Sequence, residues 1–95
     1  ARPLPDDVLK KYLKLLFKEI DIIRPKVIIT FGNQVSSIIL NKKISVSENR
    51  KVCHELKINK NKYKVYSVYY PVGNGIFNID KAIEDIKWII ANELE

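Results

Sequence analysis

The side chains best placed to do chemistry in this chain stand at Tyr69-Tyr70-Pro71-Val72-Gly73-Asn74-Gly75, directly after the β-branched and aromatic run Val65-Tyr66-Ser67-Val68-Tyr69. A buried strand that ends in Pro and two Gly hands its last side chains to a rigid loop whose backbone can approach a ligand closely. That loop lies at the carboxyl end of a sheet, where α/β proteins bind their ligands. Tyr70 is the aromatic residue expected to face the ligand, while Tyr63, Tyr66 and Tyr69 read as packing residues. Gly73, Asn74, Gly75 and Ile76 complete the loop. Ile76 and Phe77 have two readings: apolar inserts between stacked bases, or the staple that seats a following helix.

Charge marks a second candidate. Lys42, Lys43, Arg50, Lys51, Lys57, Lys60, Lys62 and Lys64 crowd residues 42–64 against only Glu48 and Glu55, so this stretch holds the whole net charge of +6. A confined basic stripe is the electrostatic footprint of a polyanion partner, DNA first. The plainer alternative is a solvated lysine-rich hairpin, kept charged for solubility and to protect a sheet edge. Strand alternation is expected to send Lys60, Lys62 and Lys64 to one face. Gly32, Asn33 and Gln34 form a third candidate, because free amides at a helix start can hold a phosphate. Against it stands Asn33 as an ordinary N-cap.

Other residues of reactive type read as structural. His54, the only histidine, has no acid or thiol at catalytic spacing and reads as a surface residue, with Glu55 pointing to the opposite face. Cys53, the only cysteine, excludes an internal disulfide and any multi-cysteine metal site, and reads as a small buried or half-buried side chain. Trp88 reads as core or partner packing. No cofactor and no metal is called for.

The elements that must position these groups emerge from periodicity. Pro5-Asp6-Asp7 opens a helix, and Leu9, Leu13, Leu16, Ile20 and Ile23 recur along one face until Arg24-Pro25. Residues 27–31 are apolar and β-branched without alternation, which predicts a strand covered on both faces. Gly32 breaks it, and a helix runs from about Gln34 to Leu40. Residues 41–51 read as a polar loop. Strands are predicted over residues 52–58 and 63–69, joined by Asn59-Lys60-Asn61. Asn78 can cap a last helix with Ile79, Ile83, Ile86, Ile90 and Leu94 on its buried face.

The predicted fold class is therefore α/β, a short sheet flanked by helices in the order α-β-α-β-β-α. Its 95 residues make a single domain over residues 1–95. No apolar stretch approaches the roughly 18 residues of a membrane span. The first residues lack an apolar signal core, so the expected setting is cytoplasmic, with no membrane contact.

Arg2-Pro3-Leu4-Pro5-Asp6-Asp7, the helix-to-strand stretch Ile20-Asp21-Ile22-Ile23-Arg24-Pro25-Lys26-Val27-Ile28-Ile29-Thr30-Phe31-Gly32, and Val65-Tyr66-Ser67-Val68-Tyr69-Tyr70-Pro71 resemble the C-terminal half of the uracil-DNA glycosylase superfamily. The closest likeness is to its family 4, the iron–sulfur branch of bacteria and archaea. The resemblance implies half of that three-layer fold and a role in DNA repair or replication. It also implies departures. Tyr70 occupies the position of the His that stabilises the departing uracil, the Gly-rich water-positioning motif has no counterpart, and Tyr12 stands where a cluster-ligating Cys is expected. The resemblance thus implies a DNA-binding module not competent in catalysis alone, without an iron–sulfur cluster. The alternative is a non-catalytic accessory subunit that binds a DNA-processing enzyme. The resemblance further implies that the strand at 27–31 has an open edge, which a protein partner or a second copy of the chain would cover.

Overall fold

The computed structural model describes residues 6–70 and 79–94. The first helix, α1 (Asp6–Ile23), packs Leu13, Leu16, Phe17 and Ile20 against the sheet. It ends where Arg24 turns left-handed (φ 53°) and returns its N–H to the Ile20 carbonyl at 2.7 Å, with Pro25 next, which cannot continue a helix. Strand β1 (Ile28–Phe31) then runs into α2 (Asn33–Leu40) through Gly32 alone. Gly32 adopts φ 84°, a conformation few other residues tolerate, and this permits so abrupt a turn.

Residues 41–51 are not the polar loop that composition suggests. Ile44 and Val46 are core residues, and a single helical turn spans Val46–Glu48. Their burial is possible because α2 supplies the missing backbone partners: Ser37 Oγ accepts the Ile44 N–H and Asn33 Oδ1 accepts the Val46 N–H, both at 2.8 Å.

Strands β2 (His54–Ile58) and β3 (Asn61–Val68) form a hairpin closed by Asn59 and Lys60, with Asn59 left-handed at φ 54°. The strand order is β1-β3-β2; β1 runs parallel to β3 (Ile28 opposite Val65) and β2 antiparallel (Ile58 opposite Asn61). The last helix is α3 (Ile79–Glu93). One face of the sheet carries Leu56, Ile58, Tyr63 and Val65 under α1 and α2, and the other carries Tyr66 and Val68 under Ile89 of α3. The protein is thus α/β with three layers, in the element order its sequence predicts.

The predicted face of the last helix is corrected. α3 buries Ala82, Asp85 and Ile89, whereas Ile79, Ile83, Ile90 and Leu94 of the anticipated stripe are exposed. The helix is rotated because Arg50 holds Asp85 on the buried line, which Ala82 and Ile89 share. Glu84 reaches Arg50, on the segment leading to β2. The exposed isoleucines therefore stand on the side of the helix away from Arg50, and Ile86 packs against the Tyr66, Val68 and Ile89 cluster that Val27 and Ile29 also join. β1 is covered on both faces, Ile28 packing on the α1 and α2 side and Ile29 on the α3 side, with Phe31 exposed at its carboxyl end, and the strand lies at the sheet edge.

Candidate functional site

Parallel pairing of β1 and β3 brings the segments that leave their carboxyl ends to the same end of the sheet. After β1 come Gly32 and the first turn of α2; after β3 come Tyr69 and Tyr70. A Cβ placed on Gly32 would lie 3.5 Å from the Tyr70 Cβ, so the two segments touch. Tyr70 is 54% exposed beside them. Gly73, Asn74, Gly75 and Ile76, together with Phe77 and Asn78, lie outside the described residues.

At the α2 start, Gly32 takes the cap position, correcting the expectation of Asn33 there, and no side chain caps the helix. Asn33 is committed instead to the Val46 N–H, and the Gly32 N–H donates to the Val68 carbonyl at 2.8 Å. The amides of Asn33, Gln34 and Val35 have no intrahelical acceptor by geometry and make no hydrogen bond among the described residues. Of the three phosphate candidates, these amides rather than the side chain of Asn33 are what a ligand would meet.

The basic stripe does not persist as one surface. Arg50 grips the buried Asp85 with Nε to Oδ2 at 2.9 Å and Nη2 to Oδ1 at 3.0 Å, and meets Glu84 at 2.7 Å. Hydrogen bonding to Asp85 holds its guanidinium well above the usual arginine range. Lys51 lies 3.9 Å from the same Glu84. Lys62 pairs with Glu55 at 3.5 Å, and Lys64 lies 3.1 Å from a buried oxygen of Glu93 without hydrogen-bond geometry. Lys62 and Lys64 share a face as predicted, but Lys60 sits in the turn. Lys42, Lys43, Lys57 and Lys60 make no ion pair among the described residues.

His54 is buried, not a surface residue, because its strand position opposite Val65 turns it under the α1 and α2 layer. Its Nε2 has no hydrogen-bond partner, and burial, helped by the charge of Lys42, pulls its pKa below 6.5. Cys53 is exposed rather than half-buried, since it precedes β2 and has no covering element. Burial, with smaller effects from Cys53 and Glu93, pushes the Tyr66 phenol up to about 12. Tyr66 meets Trp88 edge-on, ring centres 6.0 Å apart. No three His, Cys, Asp or Glu side chains gather as a metal-binding set among the described residues.

Two polar clusters were not foreseen. Thr30, Ser36 and Ser67 form a buried hydroxyl cluster, Thr30 Oγ1 lying 2.7 Å from Ser36 Oγ and 3.2 Å from Ser67 Oγ. It joins β1, α2 and β3 just below the site. Asp21 accepts from the Tyr63 hydroxyl and Asn61 Nδ2, each at 2.7 Å, and from Asn59 Nδ2 at 3.1 Å, which holds its carboxyl below the usual carboxylate value of 3.8. The Asn-rich turn was the sequence signal for this second cluster; the first has none.

No protein-family model matches the chain, and no curated protein matches it. No helix among the described residues is long and apolar enough to cross a membrane.

Proposed function

We propose that this chain is a DNA-binding module related to the uracil-DNA glycosylases, serving DNA repair or replication in the cytoplasm and not excising bases by itself. The observation that carries this reading is the meeting of Tyr70 with Gly32 and the open amides of α2 at the carboxyl end of the parallel pair. An exposed phenol ring offers a stacking surface to an unpaired base, and amides at a helix start donate hydrogen bonds to a phosphate. Tyr70 supplies one hydroxyl where catalysis in the resembled family has a His. Anisotropy titrations with single-stranded oligonucleotides test this: Tyr70→Ala weakens binding by about 1–3 kcal/mol with an unchanged salt slope. Uracil-containing oligonucleotides yield no abasic sites with the wild type or with Tyr70→His, since one donor accounts for only about 10²–10³ in rate. Absence of binding to single- and double-stranded DNA would overturn the reading; excision by the chain alone would overturn its non-catalytic part.

A second reading, an accessory subunit docked on a DNA-processing enzyme, is favoured by the edge of β1. Gly32 N–H bonds toward β3, so strand alternation leaves the backbone groups of Ile29 and Phe31 facing the open edge. Tyr12 and Val35 on one layer and Ile83 and Ile90 on the other stand exposed beside it. A groove of about 490 Å³ between α1, β1 and α2 continues this surface. A partner strand, from another protein or a second copy, would satisfy the edge. Sedimentation of the chain alone and with cell extract distinguishes a monomer without partners, which would count against this reading.

A further inference from the structure

We propose that the outer edge of β1 and the groove beside it take an extended segment of a partner protein as an added antiparallel strand, one with bulky apolar side chains two positions apart and acids directly after them. The proposal rests on the accessory-subunit reading and names what that partner offers.

Edge and groove form one surface. Along β1 the side chains alternate, Ile28 and Thr30 toward the α1 and α2 layer and Ile29 toward α3. All four residues of the strand nevertheless line the groove, so it opens onto the outer edge, where the peptide groups of Ile29 and Phe31 point. A strand laid there bonds to those groups and sends every second side chain into the groove. Leu16 and Ile20 offer it half-buried apolar surface, and Tyr12 and Val35 stand half-exposed at the rim. The strand extends roughly 13 Å, room for two such side chains on one face.

A second copy of the chain does not fit this groove. If two β1 strands paired antiparallel in one continuous sheet, the residues on the groove side would be the partner copy's own Ile28 and Thr30. Ile28 already packs on its core cluster, and Thr30 is buried among the Ser36 and Ser67 hydroxyls. Neither is free to enter a facing groove. The occupant must bring side chains not already packed, which an extended segment does. Charge sets its direction. Arg24 and Lys26, exposed just before β1, line a pocket with Lys62 and Lys64, and neither Arg24 nor Lys26 makes an ion pair among the described residues. An antiparallel strand ends there, so its acids follow its apolar pair.

The test uses a fluorescent peptide, acetyl-Thr-Leu-Thr-Phe-Thr-Glu-Glu-amide, read by anisotropy against the whole chain. Serine in place of its Leu and Phe weakens binding by about tenfold or more, because both side chains leave the groove. With Phe beside Ile28, the Thr between Leu and Phe turns its N–H to Ile29, and the Phe N–H points away. N-methylation of that Thr therefore abolishes binding, while N-methylation of the Phe leaves it nearly unchanged. Lys26→Glu weakens the acidic peptide and strengthens one ending in two lysines, a reversal that a folding defect does not produce. Tyr12→Lys, at the rim, blocks entry; Tyr70 also lines the groove and is left intact, since the DNA reading uses it. Failure of the peptide to bind, equal effects of the two N-methyl groups, or binding indifferent to Tyr12→Lys would overturn the proposal. A dimer of the chain alone that Tyr12→Lys splits and the peptide does not would also overturn it and assign the edge to a second copy. A protein captured from cell extract as well by Tyr12→Lys as by the wild type, with no peptide bound, would overturn this site and leave the accessory-subunit reading standing; no partner and no peptide binding would overturn both.

Discussion

The two flanks of the sheet are finished in different ways. On the β2 side, polar and charged groups are closed internally: Arg50 on Asp85, Asp21 under three donors, Lys62 on Glu55. On the β1 side, the backbone groups of Ile29 and Phe31 face outward, and Tyr12, Val35, Ile83 and Ile90 remain exposed among the described residues. Internal closure leaves a flank able to meet solvent and loose polyanions. An open strand edge framed by apolar side chains on both layers is surface that gains free energy only when something is laid against it.

The largest expected effect sharpens the β2 half of this contrast. Arg50→Ala leaves the fully buried Asp85 without its cation, and unfolding in denaturant should show a loss of about 3 kcal/mol. A loss near zero would mean that the β2 flank is no more tightly fastened than the β1 flank.

Next is His54. Its neutral ring is the form the folded state holds, with a pKa below 6.5, so stability is complete above 6.5 and falls as pH drops toward the folded value. The fall is at most about 1.4 kcal/mol per pH unit in that window. His54→Leu removes it, which melting at a series of pH values reads directly.

The open flank is broken by Tyr12→Lys with Ile83→Lys, one change on each layer. Both residues are exposed, so stability shifts by no more than about 0.5 kcal/mol, while self-association or partner capture seen in sedimentation is lost. A large stability loss instead would show that these side chains support the fold itself. The smallest effect belongs to Lys62→Gln: its pair with Glu55 is exposed on both sides and contributes about 0–0.5 kcal/mol, a difference that salt should erase.

Element type and order were legible in the sequence because hydrophobic period and the Gly and Pro positions act locally. α1 ends at Arg24-Pro25 and the hairpin turns at Asn59, both where the local signals lie. Which face α3 presents was not legible. Its isoleucines repeat at helical spacing, yet Asp85 and Ala82 occupy the buried line, and that choice depends on Arg50, 35 positions away. The same holds for charge. Sequence order groups eight cations into one stripe, while the fold pairs three of them with acids of α3 and a fourth, Lys62, with Glu55 of its own hairpin. His54 could be placed on a strand by pattern, but its burial depends on which face the two helices cover.

The strand order also fixes a sequence of assembly. The β2–β3 hairpin closes across two turn residues, whereas β1 meets β3 across a separation such as the 37 positions between Thr30 and Ser67. Closing the longer loop costs more chain entropy before any contact offsets it, so the hairpin should form first and offer β3 as the template on which β1 docks late. Substitutions at the turn should then slow folding, and substitutions along β1 should chiefly speed unfolding. The strand with the open outer edge is thus also the last to find its place, and until it does, β3 itself is an unclaimed edge.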